Sequence, residues 1–257
     1  MKKLILILTL FLLILNPCFS ASGVVKKDLT VPSSDGFTIK AELEYPKIKG
    51  KKEFSTVVLL HSLGYSSSWW ETLPGELIQE GFAVLKIDLR GHGRSVYNKR
   101  LVKMSWKGMT NNAYAKYPDD VVKVIEYVKS ENNKTVFFDD WAFIGSDIGA
   151  STAVLAANKI SYKPKTIVML SPGISIRGLY VPVQLANLDK VDIFSISGTN
   201  DFAGKEAEQY LQRFAQDAFV RYTSKANANG MIMLKNDASL SKVIISWIKQ
   251  YLQTSAS

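Results

Sequence analysis

The sequence predicts an α/β fold: a mostly parallel central sheet with helices on both faces and an antiparallel hairpin at the N-terminal end. Three observations predict it. Short apolar runs at 55–60, 82–87 and 166–170 lack the polar alternation of a solvated strand, as burial on both faces requires, and 191–196 reads as a further strand. Stretches with helical spacing lie between them, such as Val121, Val122, Val124, Ile125 and Val128. Strand-like and helix-like segments thus alternate with no repeat or low-complexity break, the pattern of a sheet covered on both sides.

Taken in order, residues 24–31 and 37–45 read as two strands joined by the turn Pro32-Ser33-Ser34-Asp35-Gly36. The buried run 55–60 ends in His61-Ser62-Leu63-Gly64, and a helix is expected over 69–79, stopped by Gly81. The strand 82–87 runs into Asp88-Leu89-Arg90-Gly91-His92-Gly93-Arg94-Ser95. Residues 97–117 are irregular and are expected to form a loop or small cap over a cleft, with Tyr97, Trp69, Trp70 and Trp106 as candidate walls. For Trp70 core packing is the better expectation. Helices at 119–130, 205–217 and 240–252 and a strand at 218–222 complete the frame, with 174–188 irregular and 225–230 a loop.

The frame is organised around Gly145-Ser146-Asp147-Ile148-Gly149, which follows the apolar run 141–143 and precedes the small-residue helix of Thr152 to Ala157. Strand, glycine-flanked turn and helix are the layout of a nucleophile elbow, whose glycines sit where a side chain would collide with the crossing strand and helix. The register places Asp147 at the tip. Ser146 comes one residue too early and points elsewhere. Aspartate tolerates the positive φ such a tip needs.

The chain's 257 residues, 47% hydrophobic and 21% charged, suit one large domain, here 23–257. Residues 1–22 have a basic head, the apolar run 4–15 and a small polar tail, the pattern of a secretory signal peptide, with cleavage expected near Ser20 or Ser22. The product is expected to be exported, periplasmic or secreted. Cys18 follows Asn16-Pro17, a poor lipid-attachment context, so no lipid anchor is expected. As the only cysteine, Cys18 leaves the processed chain without thiol chemistry. No metal site and no cofactor are expected. The net charge is +9, or +7 without Lys2 and Lys3, and the lysines are dispersed. Nucleic acid is therefore not an expected partner, whereas weak contact with an anionic envelope is.

Together, the turns ending each strand resemble those of the α/β-hydrolase family, on its esterase and dienelactone-hydrolase side, over nearly the whole processed chain. They are His61-Ser62-Leu63-Gly64, Asp88 to Ser95, the elbow, Ser171-Pro172-Gly173, Gly198-Thr199-Asn200-Asp201 and the Asn229-Gly230 loop. The resemblance implies a catalytic set in the order nucleophile, acid, histidine, occupied here by Asp147, Asp201 and Asn229. It also implies an oxyanion hole from the N–H groups of Leu63 and Ile148, supported by His61 and Gly64. Aspartate replaces the usual serine and asparagine the usual histidine. Some relatives with this fold, the haloalkane dehalogenases and epoxide hydrolases, attack with an aspartate, yet still rely on a histidine to hydrolyse the ester they form. An amide cannot take a proton near neutral pH.

Three readings follow. The first is a degenerate hydrolase with little or no serine-esterase turnover that binds an ester-like small molecule. The second is an active enzyme using Asp147 as nucleophile or base, and the third an envelope-binding or scaffold protein without catalysis.

Overall fold

A computed structural model describes residues 23–48, 53–132, 135–215 and 218–252; the predicted signal peptide, with Cys18, lies outside them. The antiparallel strands β1 (Val24–Pro32) and β2 (Thr38–Pro46) form the expected hairpin. β3 (Phe54–Leu60), β4 (Ala83–Asp88), β5 (Val136–Ser146), β6 (Thr166–Leu170), β9 (Asp192–Ser197) and β10 (Phe219–Thr223) continue the sheet, which is ordered β1-β2-β4-β3-β5-β6-β9-β10. Every pairing from β4 to β10 is parallel, and only β2 runs against its neighbours. All seven residues of β3 are buried, which explains its unbroken apolar run.

One face of the sheet is covered by α3 (Tyr117–Asn132) and α4 (Ile148–Lys159), the other by α1 (Leu73–Gln79) and α8 (Leu240–Tyr251). The elements between are short: α2 (Asn111–Tyr114), the two-residue strands β7 (Ser175–Ile176) and β8 (Leu179–Tyr180), α5 (Pro182–Ala186) and α7 (Ile232–Asn236). α6 (Phe202–Ala215) packs beside β9.

Three expectations are corrected. The helix predicted over 69–79 is only α1, because Glu71 takes φ 49°, a left-handed turn that no α-helix continues through. Trp69 instead ends a separate 3₁₀ turn, Ser67–Trp69. β5 starts five residues earlier than its apolar core suggested. Its register against β3 jumps from Phe137 to Trp141, and the skipped stretch carries Asp139 and Asp140, which break the apolar pattern. The segment 97–117 is not a cap over the cleft. Its Trp106 stacks on His92 at 5.6 Å and lies against Gly64, behind the loop following β3.

Candidate active site

The C-terminal ends of β3, β5, β6 and β9 meet at one cavity of about 600 Å³. Asp147, Asp201 and Asn229 all line it, as do Leu63, Ser62, Ser171 and Glu206. None of Trp69, Trp70, Trp106 or Tyr97 does. Trp70 is a core residue, and Tyr65, braced edge-on by Trp69, contributes the cavity's aromatic wall.

Asp147 sits at φ 53°, ψ −117° between the end of β5 and the first residue of α4. The glycines around it are required by contact. A Cβ on Gly149 would lie 2.1 Å from the Leu60 carbonyl oxygen, and one on Gly145 2.6 Å from the Gly149 carbonyl oxygen. Strand and helix could not cross so closely with any other residue. Ser146 is fully buried, its hydroxyl 2.7 Å from that of Ser62, and does not line the cavity.

The side chain of Asp147 turns to the loop after β3, where the Leu63 N–H donates to its Oδ2 at 3.0 Å. Burial pushes the Asp147 carboxyl above its ordinary range. The N–H groups of Leu63 and Ile148 pull it back in part, and the charge of Asp201 raises it further. The two backbone donors expected to receive a substrate oxygen thus both act on this carboxylate.

Asp201 starts α6, its Oδ1 accepting from the Gly204 N–H at 3.0 Å. Its Oδ2 is buried and has no hydrogen-bond partner among the described residues. Asn229 is exposed on the loop before α7, and no hydrogen bond joins it to Asp147 among the described residues. That loop is pinned from below: the Gly230 N–H donates to Ser171 Oγ at 2.6 Å, and the Ser62 N–H points at Met231 Sδ at 3.3 Å.

Neither histidine reaches the cavity. His61 Nε2 accepts from the Leu89 N–H at 2.9 Å and its Nδ1 donates to the Ser62 carbonyl at 2.9 Å. His92 Nε2 accepts from the Gly64 N–H at 3.0 Å and its Nδ1 faces the Arg90 carbonyl at 3.1 Å. His92, rather than His61, therefore holds Gly64, while His61 ties the end of β3 to the turn after β4. Both rings are neutral. Burial lowers the His61 pKa, and burial together with His61 lowers that of His92 to about 4.

A folded-state pKa of about 4 against an ordinary 6.5 means the unfolded chain binds the proton first, so stability is lost as pH falls through that window. The unfolding free energy of the unmodified protein relative to His92→Gln should rise by about 1.4 kcal/mol per pH unit between pH 4 and 6.5 and stay level above pH 7. Urea titrations across that range measure it; a pH-independent difference would mean that His92 is not held neutral by its surroundings.

Sequence reasoning missed Glu206 and Ser171. Glu206 lines the cavity from the second turn of α6. Ser171 carries a usable signal, a small polar residue directly after a buried strand. It takes φ 50° there. Among the described residues no group of three or more His, Cys, Asp or Glu side chains is placed to hold a metal ion.

This sheet order, with a positive-φ elbow after β5 and a cavity at the strand ends, is that of the α/β-hydrolase fold. The sequence profile of the serine aminopeptidase S33 family matches residues 51–226, and the chain belongs to that family. Among solved structures it is similar to an esterase of Pyrococcus furiosus (17% identity, TM-score 0.69, covering 89% of this chain and 94% of that one). It is also similar to a dienelactone hydrolase of Anabaena variabilis (14% identity, TM-score 0.65, 90% and 99%). An esterase of Exiguobacterium antarcticum aligns over 87% of this chain and 100% of its own at 13% identity and TM-score 0.62. At such identities the likeness is one of fold. No curated protein matches the chain in sequence.

Proposed function

We propose that the protein is an exported α/β hydrolase relative with a degenerate triad, in which Asp147, Asp201 and Asn229 hold the places of nucleophile, acid and histidine, and whose cleft binds a small molecule with little or no ester turnover. The observation that carries this reading is the 3.0 Å bond from the Leu63 N–H to Asp147 Oδ2. An oxyanion hole accelerates acyl transfer because its preorganised donors are available to the substrate oxygen as negative charge develops on it. Here a fixed anion of the protein competes for those donors. The Asn229 amide supplies no base, and both histidines spend both ring nitrogens on backbone groups.

The cavity lining also bears on the ligand. Among the described residues it carries Asp147, Asp201 and Glu206 and no Lys, Arg or His, so an anionic ligand is repelled while a neutral ester-like or a cationic one is tolerated. No step of this reading needs a cofactor. Export is supported by residues 1–22, and weak attraction to an anionic envelope by the net charge of +7 that remains without Lys2 and Lys3. The runner-up has Asp147 attacking as a nucleophile or serving as a base toward water. It is favoured by the elbow geometry that brings its carboxylate to the cavity wall.

Chromogenic short-chain esters separate the two. The unmodified protein is expected to match the buffer rate, with Asp147→Asn no different. Turnover above background that Asp147→Asn abolishes would establish the runner-up instead.

A further inference from the structure

We propose that the hairpin over residues 97–104 is a docking element for the surface of an anionic phospholipid bilayer. It gives a place on the fold to the envelope contact proposed above and rests on that reading, but not on the state of the cleft.

The hairpin exposes Tyr97, Leu101, Val102 and Met104 together, with Leu101 77% accessible. Exposed Lys99, Arg100 and Lys103 alternate with them, and Lys107 follows. No Asp or Glu occurs between Leu89 and Pro118. None of these four cations joins an ion pair among the described residues. Apolar tips inside a ring of basic groups match the interface of an anionic bilayer, where acyl chains take up the first and headgroups the second. A soluble polyanion would account for the cations and leave the aliphatic side chains unexplained.

The tip is also held rigid. Asn98 Oδ1 accepts from the N–H groups of Arg100 at 2.9 Å and Val102 at 3.0 Å, and the Asn98 N–H donates to the Val102 carbonyl at 3.1 Å. Leu101 itself takes φ 58°, a strained conformation for leucine, and is held in water by that scaffold. Pre-organisation of this kind lowers the ordering cost of binding.

The test uses the full chain with Cys18→Ser and Val102→Cys, carrying an environment-sensitive dye on the new thiol, so that the signal comes from the hairpin whatever residues 1–22 do. Vesicles of equal parts phosphatidylglycerol and phosphatidylcholine are expected to shift the dye emission to the blue; pure phosphatidylcholine vesicles are not. Adding Arg100→Gln and Lys103→Gln should weaken the apparent affinity roughly 25-fold, about fivefold per charge lost. An absent shift, or an affinity unchanged by the two charge removals, overturns the proposal. So does equally tight binding of soluble polyphosphate with no shift, which would point to a polyanion partner. Vesicle binding by a chain that cells retain inside would refute export and leave the hairpin proposal standing.

Discussion

A chain carrying Asp147→Ser and Asn229→His together is expected to hydrolyse chromogenic esters at least ~100-fold faster than the unmodified protein. A complete triad contributes on the order of 10⁴ to 10⁶ in kcat, and a rebuilt one without refined positioning recovers part of that. Three features of the site favour recovery. The elbow already holds residue 147 at φ 53°. Removing the carboxylate frees the N–H groups of Leu63 and Ile148. Buried Asp201 Oδ2, without a donor among the described residues, can accept from an imidazole N–H. Each single change should do little. Asp147→Ser alone leaves a hydroxyl with no base, and Asn229→His alone leaves the anion in front of the donors. The diagnostic result is therefore strong non-additivity. A folded but inactive double variant would show that Asn229 does not stand where a histidine can reach residue 147.

Replacing Arg90 by alanine should lower the unfolding free energy by about 3–5 kcal/mol, the usual effect of stripping one partner from a buried ion pair. Arg90 is buried, and its guanidinium bonds both oxygens of Asp120, at 2.8 and 2.7 Å, and both of Asp35, at 2.7 and 3.0 Å. It thereby ties α3 to the turn of the β1–β2 hairpin. Its loss affects the two carboxylates differently. Asp35 is partly open to water and keeps Lys116 at 2.6 Å. Asp120 is buried, and burial already raises its pKa even with Arg90 present. Without Arg90 it would be a buried charge with no counterion, so the variant should regain stability as pH falls and Asp120 takes up its proton. Urea midpoints of the unmodified protein, Arg90→Ala and Arg90→Ala with Asp120→Ala decide the matter. The second change should restore part of the loss, and a single-variant loss under about 1 kcal/mol would contradict the network's structural role.

The parallel strands were legible because burial on both faces leaves a local mark, an unbroken apolar run, as in β3 and β6. The start of β5 was not, because Asp139 and Asp140 bulge out of the ladder and resemble loop residues in one dimension. The left-handed kink at Glu71 had no signal either, since no glycine or asparagine marks it.

At the site, sequence alone determined that Asp147 and not Ser146 stands at the turn, because the spacing of Gly145 and Gly149 admits one register only. Only the tertiary structure decided that the Asp147 carboxylate takes the Leu63 N–H, 84 residues away, that His92 and not His61 secures Gly64, and that segment 97–117 packs behind the loop instead of over the cavity. The physical reason is range. A turn's backbone conformation is set by its own few residues, whereas a hydrogen bond between strand ends depends on the order in which the sheet assembles, and no neighbouring residue encodes that order.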